Sequence, residues 1–236
     1  QAVGGERQQP VDRVFDAHRL VADDLGHQLE RVLHLLSPRE PAPAIEAWLR
    51  RAGYWTAHVG KVMEGIEAAL AAGAVVVHEP RRGYGYACLR GISYCRNQIP
   101  SPDIIVFVDG DHSDYPEEIP SLLKPILDDK ADLVIGSRAL GMRQKGSMTV
   151  QQIFGNWLAT RLLKIFFSVR FTDLGPFRAI RFPSLLELDM QDKTYGWTVE
   201  MQIKAAKRNL RCVEVPVRYR KRIGKSKISG TVRGTV

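Results

Sequence analysis

Residues 103–118 read DIIVFVDGDHSDYPEE, and the rest of the chain is best read outward from them. Ile104 to Val108 is an unbroken apolar run, four of its five residues β-branched, with an acid at each end. That is the signature of a short strand buried on both faces. Two carboxylates, Asp109 and Asp111, stand where the strand stops. In open α/β sheets, ligands gather beyond the carboxyl ends of the strands. Gly110 between the acids lets the chain turn tightly. Two acids two apart can converge on one hard cation, which takes oxygen ligands and keeps positions open for a diphosphate. Acids in turns also cap helices, and Asp114, just ahead of Pro116, reads as a cap.

Downstream, 116–128 reads as a helix, 132–136 (DLVIG) as a second buried strand and 150–169 as a long helix. A further helix is expected over 197–208 and a strand over 212–219. Upstream, 74–77 is a short apolar run. Strands alternating with helices predict an α/β layered sheet. Leu20, Val21, Leu25, Leu29, Val32, Leu33 and Leu36 recur at helical spacing, so an amphipathic helix is expected over 15–36, carrying His18, His27 and His34. Pro38, Pro41 and Pro43 break it. Helices are also read at 44–51 and 62–72. Residues 1–43 thus stand apart as an atypical segment, helical or poorly ordered, and 44–236 forms one α/β domain.

The chain's 236 residues are enough for one full core. A hydrophobic fraction of 44% and a charged fraction of 25% are ordinary for a globular protein, so disorder is not the default reading. The three cysteines form no CxxC pair, which points to a reducing compartment. No apolar run reaches the roughly 18 residues of a membrane span, and QAVGGERQQP has no signal-peptide core. Any membrane association is therefore expected to be peripheral, at the cytoplasmic face. The net charge is +8, and from Lys204 onward eleven Lys and Arg face one acid, Glu214. Such a tail seeks phosphate, acidic lipid or nucleic acid. Nucleic acid is the weakest of these, since beyond Tyr219 the tail has no ring on which a base could stack. In 156–171, Leu158, Leu162, Ile165, Phe166 and Val169 form a stripe beside Arg161 and Lys164, the pattern of an interfacial helix.

From AGAVVVHEPRRGYGYACLRG onward, segments follow one another in a recognisable order. They are strand-Asp-Gly-Asp, DLVIGSR at 132–138, TDLGPFRAIR at 172–181, YGWTVEMQIKA at 195–205 and RYRKRIGKSKISGT at 218–231. Over about 74–236 the chain resembles family 2 glycosyltransferases of the dolichyl- and polyprenyl-phosphate sugar synthase type. The resemblance implies a GT-A fold with a mixed, mainly parallel sheet flanked by helices. It implies Mg²⁺ or Mn²⁺, a nucleotide-sugar donor such as UDP-glucose or GDP-mannose, and inverting transfer of a hexose to a polyprenyl or dolichyl phosphate at the membrane surface. Asp109 and Asp111 would hold the metal, with Ser113 as a weak or water-mediated ligand. Asp109, Arg138, Glu200 and the glycine turn at Gly83 and Gly85 would face the donor. Arg178, Arg181, Arg222, Ser226 and Lys227 would hold phosphates, with Asp173 and Arg178 near the chemistry. The sugar, the base and the oligomeric state are not specified.

The first 73 residues depart from that pattern. An opening strand is not found, nor is the acidic loop that binds the donor base. Counting back by the family's spacing lands at 56–62, where His58 and Val59 stand in place of the acid. Two alternatives follow: the same fold with a hydroxyl acceptor, using Asp173 or Glu200 as base, or a non-catalytic membrane-associated relative.

Overall fold

The structure is a computed structural model that describes residues 74–222 in full and, before them, the backbone of 32–37 and 55–60. Seven strands form one sheet: β1 (Val32–Ser37), β2 (Trp55–Gly60), β3 (Val75–His78), β4 (Ile104–Asp109), β5 (Leu133–Ser137), β6 (Arg178–Arg181) and β7 (Cys212–Pro216). Their order is β3-β2-β1-β4-β6-β5-β7. Only β6 runs against its neighbours β4 and β5; the other pairings are parallel. Five helices are described: α1 (Tyr84–Arg96), α2 (Ile119–Leu127), α3 (Val150–Phe167), α4 (Phe182–Leu188) and α5 (Trp197–Lys207).

The apolar run of β4 divides by alternation between two cores. Ile105 and Phe107 point to one face, where α1, α4 and α5 contribute Cys88, Leu185, Trp197 and Met201. Ile104, Val106 and Val108 point to the other, against Leu122, Leu123 and Ile126 of α2. Burial on both faces is why this strand carries no polar alternation. The helix expected over 116–128 begins as a 3₁₀ turn, Pro116–Glu118, and continues as α2.

Two expectations are corrected here. Val32–Ser37 is a strand, not the end of a helix over 15–36, and it pairs with β4 along its whole length, Val32 opposite Ile104 and Ser37 opposite Asp109. A run such as VLHLLS satisfies both the helical period and the short buried-strand pattern, and the available sheet edge selects the strand. The opening strand that seemed missing is therefore β1, and β2 at 55–60 follows it in the sheet. β1 lies within the segment set apart at 1–43. The helices read at 44–51 and 62–72 lie outside the described residues.

Because six strands share one direction, Ser37, Gly60, His78, Asp109, Ser137 and Pro216 all end on the same edge of the sheet. β6 enters from that edge: Arg178 pairs with Phe107 and Ile135, two residues short of the ends of β4 and β5.

Candidate active site

Asp109 closes β4, and the loop that follows folds back on itself. The backbone N–H of Asp109 donates to Asp114 Oδ2 at 3.4 Å. Asp111 is buried; its Oδ1 accepts from the backbone N–H of Ser113 at 3.0 Å and from the Ser113 hydroxyl at 2.5 Å. Asp114 is not a helix cap. The residue flanking the 3₁₀ turn is Tyr115, and the buried Asp114 carboxyl closes the loop instead. Burial pushes that carboxyl well above the usual carboxylate range, and the charges of Asp109 and Asp111 add to the effect. The loop's left-handed residue is His112, at φ 60°, rather than the glycine expected to supply the turn.

The basic tail returns to this loop. After β7, Arg222 places a guanidinium nitrogen 3.0 Å from Asp111 Oδ2. A cationic group thus sits on the carboxylate oxygen turned away from Ser113. Among the described residues no group of three or more His, Cys, Asp or Glu comes together as a metal centre. A hard divalent cation such as Mg²⁺ keeps several waters and takes substrate phosphates, needing only one or two carboxylates from the protein. Asp109 and Asp111 fit that requirement, and Arg222 marks where positive charge is accepted. Ser113 engages Asp111 and the Tyr219 hydroxyl with its side chain, so its visible part is to orient that carboxylate and link it to the tail.

Arg138, directly after β5, is locked to Asp173. Its backbone N–H and Nε donate to Asp173 Oδ2 at 2.7 and 2.8 Å, and a terminal nitrogen reaches Oδ1 at 2.6 Å. The side chains of Asp173 and Arg138 are 2% and 12% exposed, so the pair is desolvated. The ring of Tyr219 lies 5.0 Å from the Arg138 guanidinium. Asp173 is fixed further through its backbone: its N–H donates to Glu214 at 3.1 Å, and its carbonyl accepts from Gln202 at 3.0 Å. Glu214, the one acid of the basic tail, also takes the Thr172 N–H and hydroxyl. A carboxylate held this way is poorly placed to take a proton from a hydroxyl acceptor.

The two arginines of GPFRAIR part company. Arg178 is fully buried at the site edge, where its guanidinium donates to the carbonyls of Gly175 (3.2 Å), Thr198 (3.2 Å) and Leu174 (3.3 Å). Burial pulls its pKa down to about 10. It thereby ties the start of α5 to the 174–175 turn. Arg181 pairs with Ile104 at the opposite end of the sheet, and it bonds the Ile126 carbonyl and Asp129 at 2.6 and 2.9 Å. Three residues in a strand span about 10 Å, so the expectation of Arg181 as a phosphate ligand is not met by its placement.

The glycine turn also has a different use. A Cβ on Gly83 would lie 2.1 Å from the Lys193 carbonyl oxygen, and one on Gly85 would lie 2.0 Å from that of Asp192. The N–H groups of Gly85 and Tyr86 donate to Thr194 and Lys193 at 3.0 and 3.2 Å. These donors are therefore taken by the 192–194 segment rather than turned to a donor molecule. Glu200 completes the clasp, accepting from the N–H groups of Gln191 and Asp192 at 2.8 and 2.7 Å and pairing with Lys204 at 2.7 Å. Gly85→Ala is expected to undock this segment, at a cost of about 1–3 kcal/mol as for other overpacked sites. Urea denaturation, with exchange of the Gly85 and Tyr86 amides, measures it. Ser226 and Lys227 lie outside the described residues.

α3 turns its apolar side outward. Ile165 and Phe166 are 69% and 72% exposed, and Phe154, Trp157, Leu158 and Leu162 are exposed with them. Only Leu163 is buried. The helix carries Arg161 and Lys164 and no acid, and none of the described helices is long and apolar enough to cross a membrane. Asn156 ties α3 to the site: its amide nitrogen donates to the Thr172 carbonyl at 3.0 Å, and its oxygen accepts from the Leu174 N–H at 2.8 Å. The sequence reading missed Asn156, Glu214 and Tyr115. For Tyr115 the signal was present in the alternating arginines of RYRKR.

Comparison with known proteins agrees with this architecture. A family model described as "Glycosyl transferase family 2" matches residues 43–188. An uncharacterized glycosyltransferase of Mycobacterium tuberculosis is 34% identical over 217 residues, covering 89% of this chain and 94% of the relative. The undecaprenyl-phosphate mannosyltransferase of Micrococcus luteus is 33% identical over 137 residues, covering 56% of each chain. Among solved structures, glucosyl-3-phosphoglycerate synthase of M. tuberculosis, in complex with Mn²⁺, UDP and phosphoglyceric acid, superposes with a TM-score of 0.62. That match has 19% identity and covers 89% of this chain and 75% of the other; it speaks to the fold, which is GT-A-like. The family match starts well before residue 74 and takes in β2. With a carboxylate pair at the end of the central strand, a basic tail folded onto it and a family model spanning more than half its length, the chain belongs to glycosyltransferase family 2.

Proposed function

We propose that the protein is an inverting hexosyltransferase that moves a sugar from UDP-glucose or GDP-mannose to a polyprenyl phosphate at the cytoplasmic face of a membrane. The observation that carries this reading is Arg222 seated on Asp111. It joins the carboxylates suited to a donor's diphosphate to the basic tail suited to a second phosphate. The Micrococcus relative, an undecaprenyl-phosphate mannosyltransferase, supports the acceptor class. Mn²⁺ in the structural neighbour supports a divalent cation. A bound cation at Asp109 and Asp111 would supply charge neutralisation for the departing nucleoside diphosphate.

The chain's own residues do the rest. A phosphate acceptor is ionised near neutral pH, so its oxygen attacks the anomeric carbon as the bond to the diphosphate oxygen breaks, without help from a base. The site's task is then to hold two anions in line and close together. Arg222 is a donor for that task, because a guanidinium can bridge phosphate oxygens by paired hydrogen bonds. Arg138 and Arg178, each committed to protein partners, build the wall beneath. Asp173 on Arg138 and Glu200 on its N–H groups leave the hydroxyl-acceptor alternative without a poised base. The exposed apolar face of α3, with its cations, would rest on the acidic lipid surface that carries the acceptor.

Titration of the purified protein with UDP and with GDP, each with and without Mn²⁺, tests the donor half. Binding that needs the metal and favours one base is the expected result. Absence of either binding would move the non-catalytic relative to first place. Transfer of labelled sugar to polyprenyl phosphate in vesicles tests the acceptor half. The double variant Trp157→Asp/Phe166→Asp should lose sedimentation with acidic vesicles by tenfold or more, at about 1 kcal/mol or more per ring kept from the interface, while keeping nucleotide binding.

A further inference from the structure

Arg218, Arg220 and Arg222 alternate along an extended segment, and each meets a different part of the 111–118 loop. Arg218 donates its backbone N–H and Nε to the two oxygens of Glu118, at 2.9 and 2.6 Å. Arg220 donates its backbone N–H to the Ser113 carbonyl at 3.0 Å and its side chain to the carbonyls of His112 and Asp114. Arg222 takes Asp111. Tyr115 stands between the first two rungs, with the Arg218 guanidinium 4.2 Å and the Arg220 guanidinium 4.4 Å from the centre of its ring. Between the arginines, the buried Tyr219 hydrogen-bonds the Ser113 side chain through its hydroxyl and exchanges backbone hydrogen bonds with Met142 and Gln144. The segment is thus held on both sides. A residue slipped by one would turn all three guanidinium groups from the loop and leave Arg222 off Asp111, since extended side chains alternate.

We propose that Tyr115 is a positioning residue: its ring, clasped by Arg218 and Arg220, sets the register in which the basic tail delivers Arg222 to the carboxylate site. The ring suits this role because its faces attract cations without neutralising them. The contacts to Glu118 and the loop carbonyls do not use the Asp111 carboxylate. A cation arriving at Asp111 therefore displaces Arg222 alone, and the tail keeps its place while that arginine turns to the phosphates. The kinetic side of this inference rests on the transferase reading above; the register itself does not.

The test compares Tyr115→Phe and Tyr115→Leu with the parent chain by hydrogen exchange at the Arg218, Arg220 and Lys221 amides, with no substrate present. Two cation–ring contacts, each worth a few-fold at partly exposed sites, predict exchange about tenfold faster in the leucine variant and near parental in the phenylalanine variant. With Mn²⁺ and UDP added to the parent, the Arg218 and Arg220 amides should stay protected. In transfer assays the leucine variant should raise the KM for the phosphate acceptor about tenfold, with kcat changed much less, and phenylalanine should restore it. Unchanged exchange in Tyr115→Leu, or phenylalanine behaving like leucine, overturns the proposal. Altered exchange in a protein that transfers no sugar would sink the transferase reading and leave the register standing.

Discussion

Asp111→Asn should reduce transfer by about a hundred- to a thousandfold, the range seen when one preorganised electrostatic group is removed from a transition state. The amide keeps the shape of the carboxylate and an oxygen for Ser113, so the loop should close as before. The lost charge changes two things at once. A divalent cation would have one carboxylate rather than two, and Arg222 would lose its ionic partner. Nucleotide binding should accordingly lose its dependence on Mn²⁺ rather than merely weaken. Calorimetry with UDP or GDP, with and without the metal, separates these outcomes, and circular dichroism checks the fold. A variant that retains parental transfer and parental metal dependence would remove Asp111 from the site.

The largest effect on stability is expected at Asp173. Removing one member of a buried ion pair leaves the other charge uncompensated, typically at about 3–5 kcal/mol. Asp173→Asn should cost close to that, because Arg138 is nearly as buried as its partner and donates three hydrogen bonds to the carboxylate. Replacing both, as Arg138→Met/Asp173→Leu, should recover most of the loss, since two apolar side chains leave no stranded charge. Urea unfolding of Arg138→Met, Asp173→Leu and the double variant gives the coupling directly. Additive losses would mean the pair is not the unit the geometry suggests.

Some of this was legible in the residues and some was not, for physical reasons. β4 could be read because burial on both faces forces an unbroken β-branched run, and the acids at its end mark the edge where a ligand can sit. β1 could not, because six residues with leucines at adjacent positions fit a helix or a strand until a neighbour is known. Nothing local in RAIR announces that β6 runs backward. Yet that reversal puts Arg178 beneath the site and sends Arg181 to the far end. The pairing of Arg138 with Asp173 likewise depends on β5 and β6 lying side by side. At Gly83 and Gly85 a missing Cβ says only that something comes close; here it is the chain's own 192–194 segment rather than a donor molecule.

The strand order has a consequence for how such a protein can change. Among the described strands, those on one flank of β4 precede it in the chain and those on the other flank follow it. A single crossover just past Asp109 would therefore exchange one whole half of the molecule for another while leaving the first half intact. The arginines at 218, 220 and 222 set the limit to that freedom, because they are matched to the loop at 111–118. A chimera joined immediately after Asp109, so that loop and tail come from one parent, should be a workable graft where the first half keeps the glycines at 83 and 85 that receive the 192–194 segment. One joined after Glu118 would mate a tail with a foreign loop.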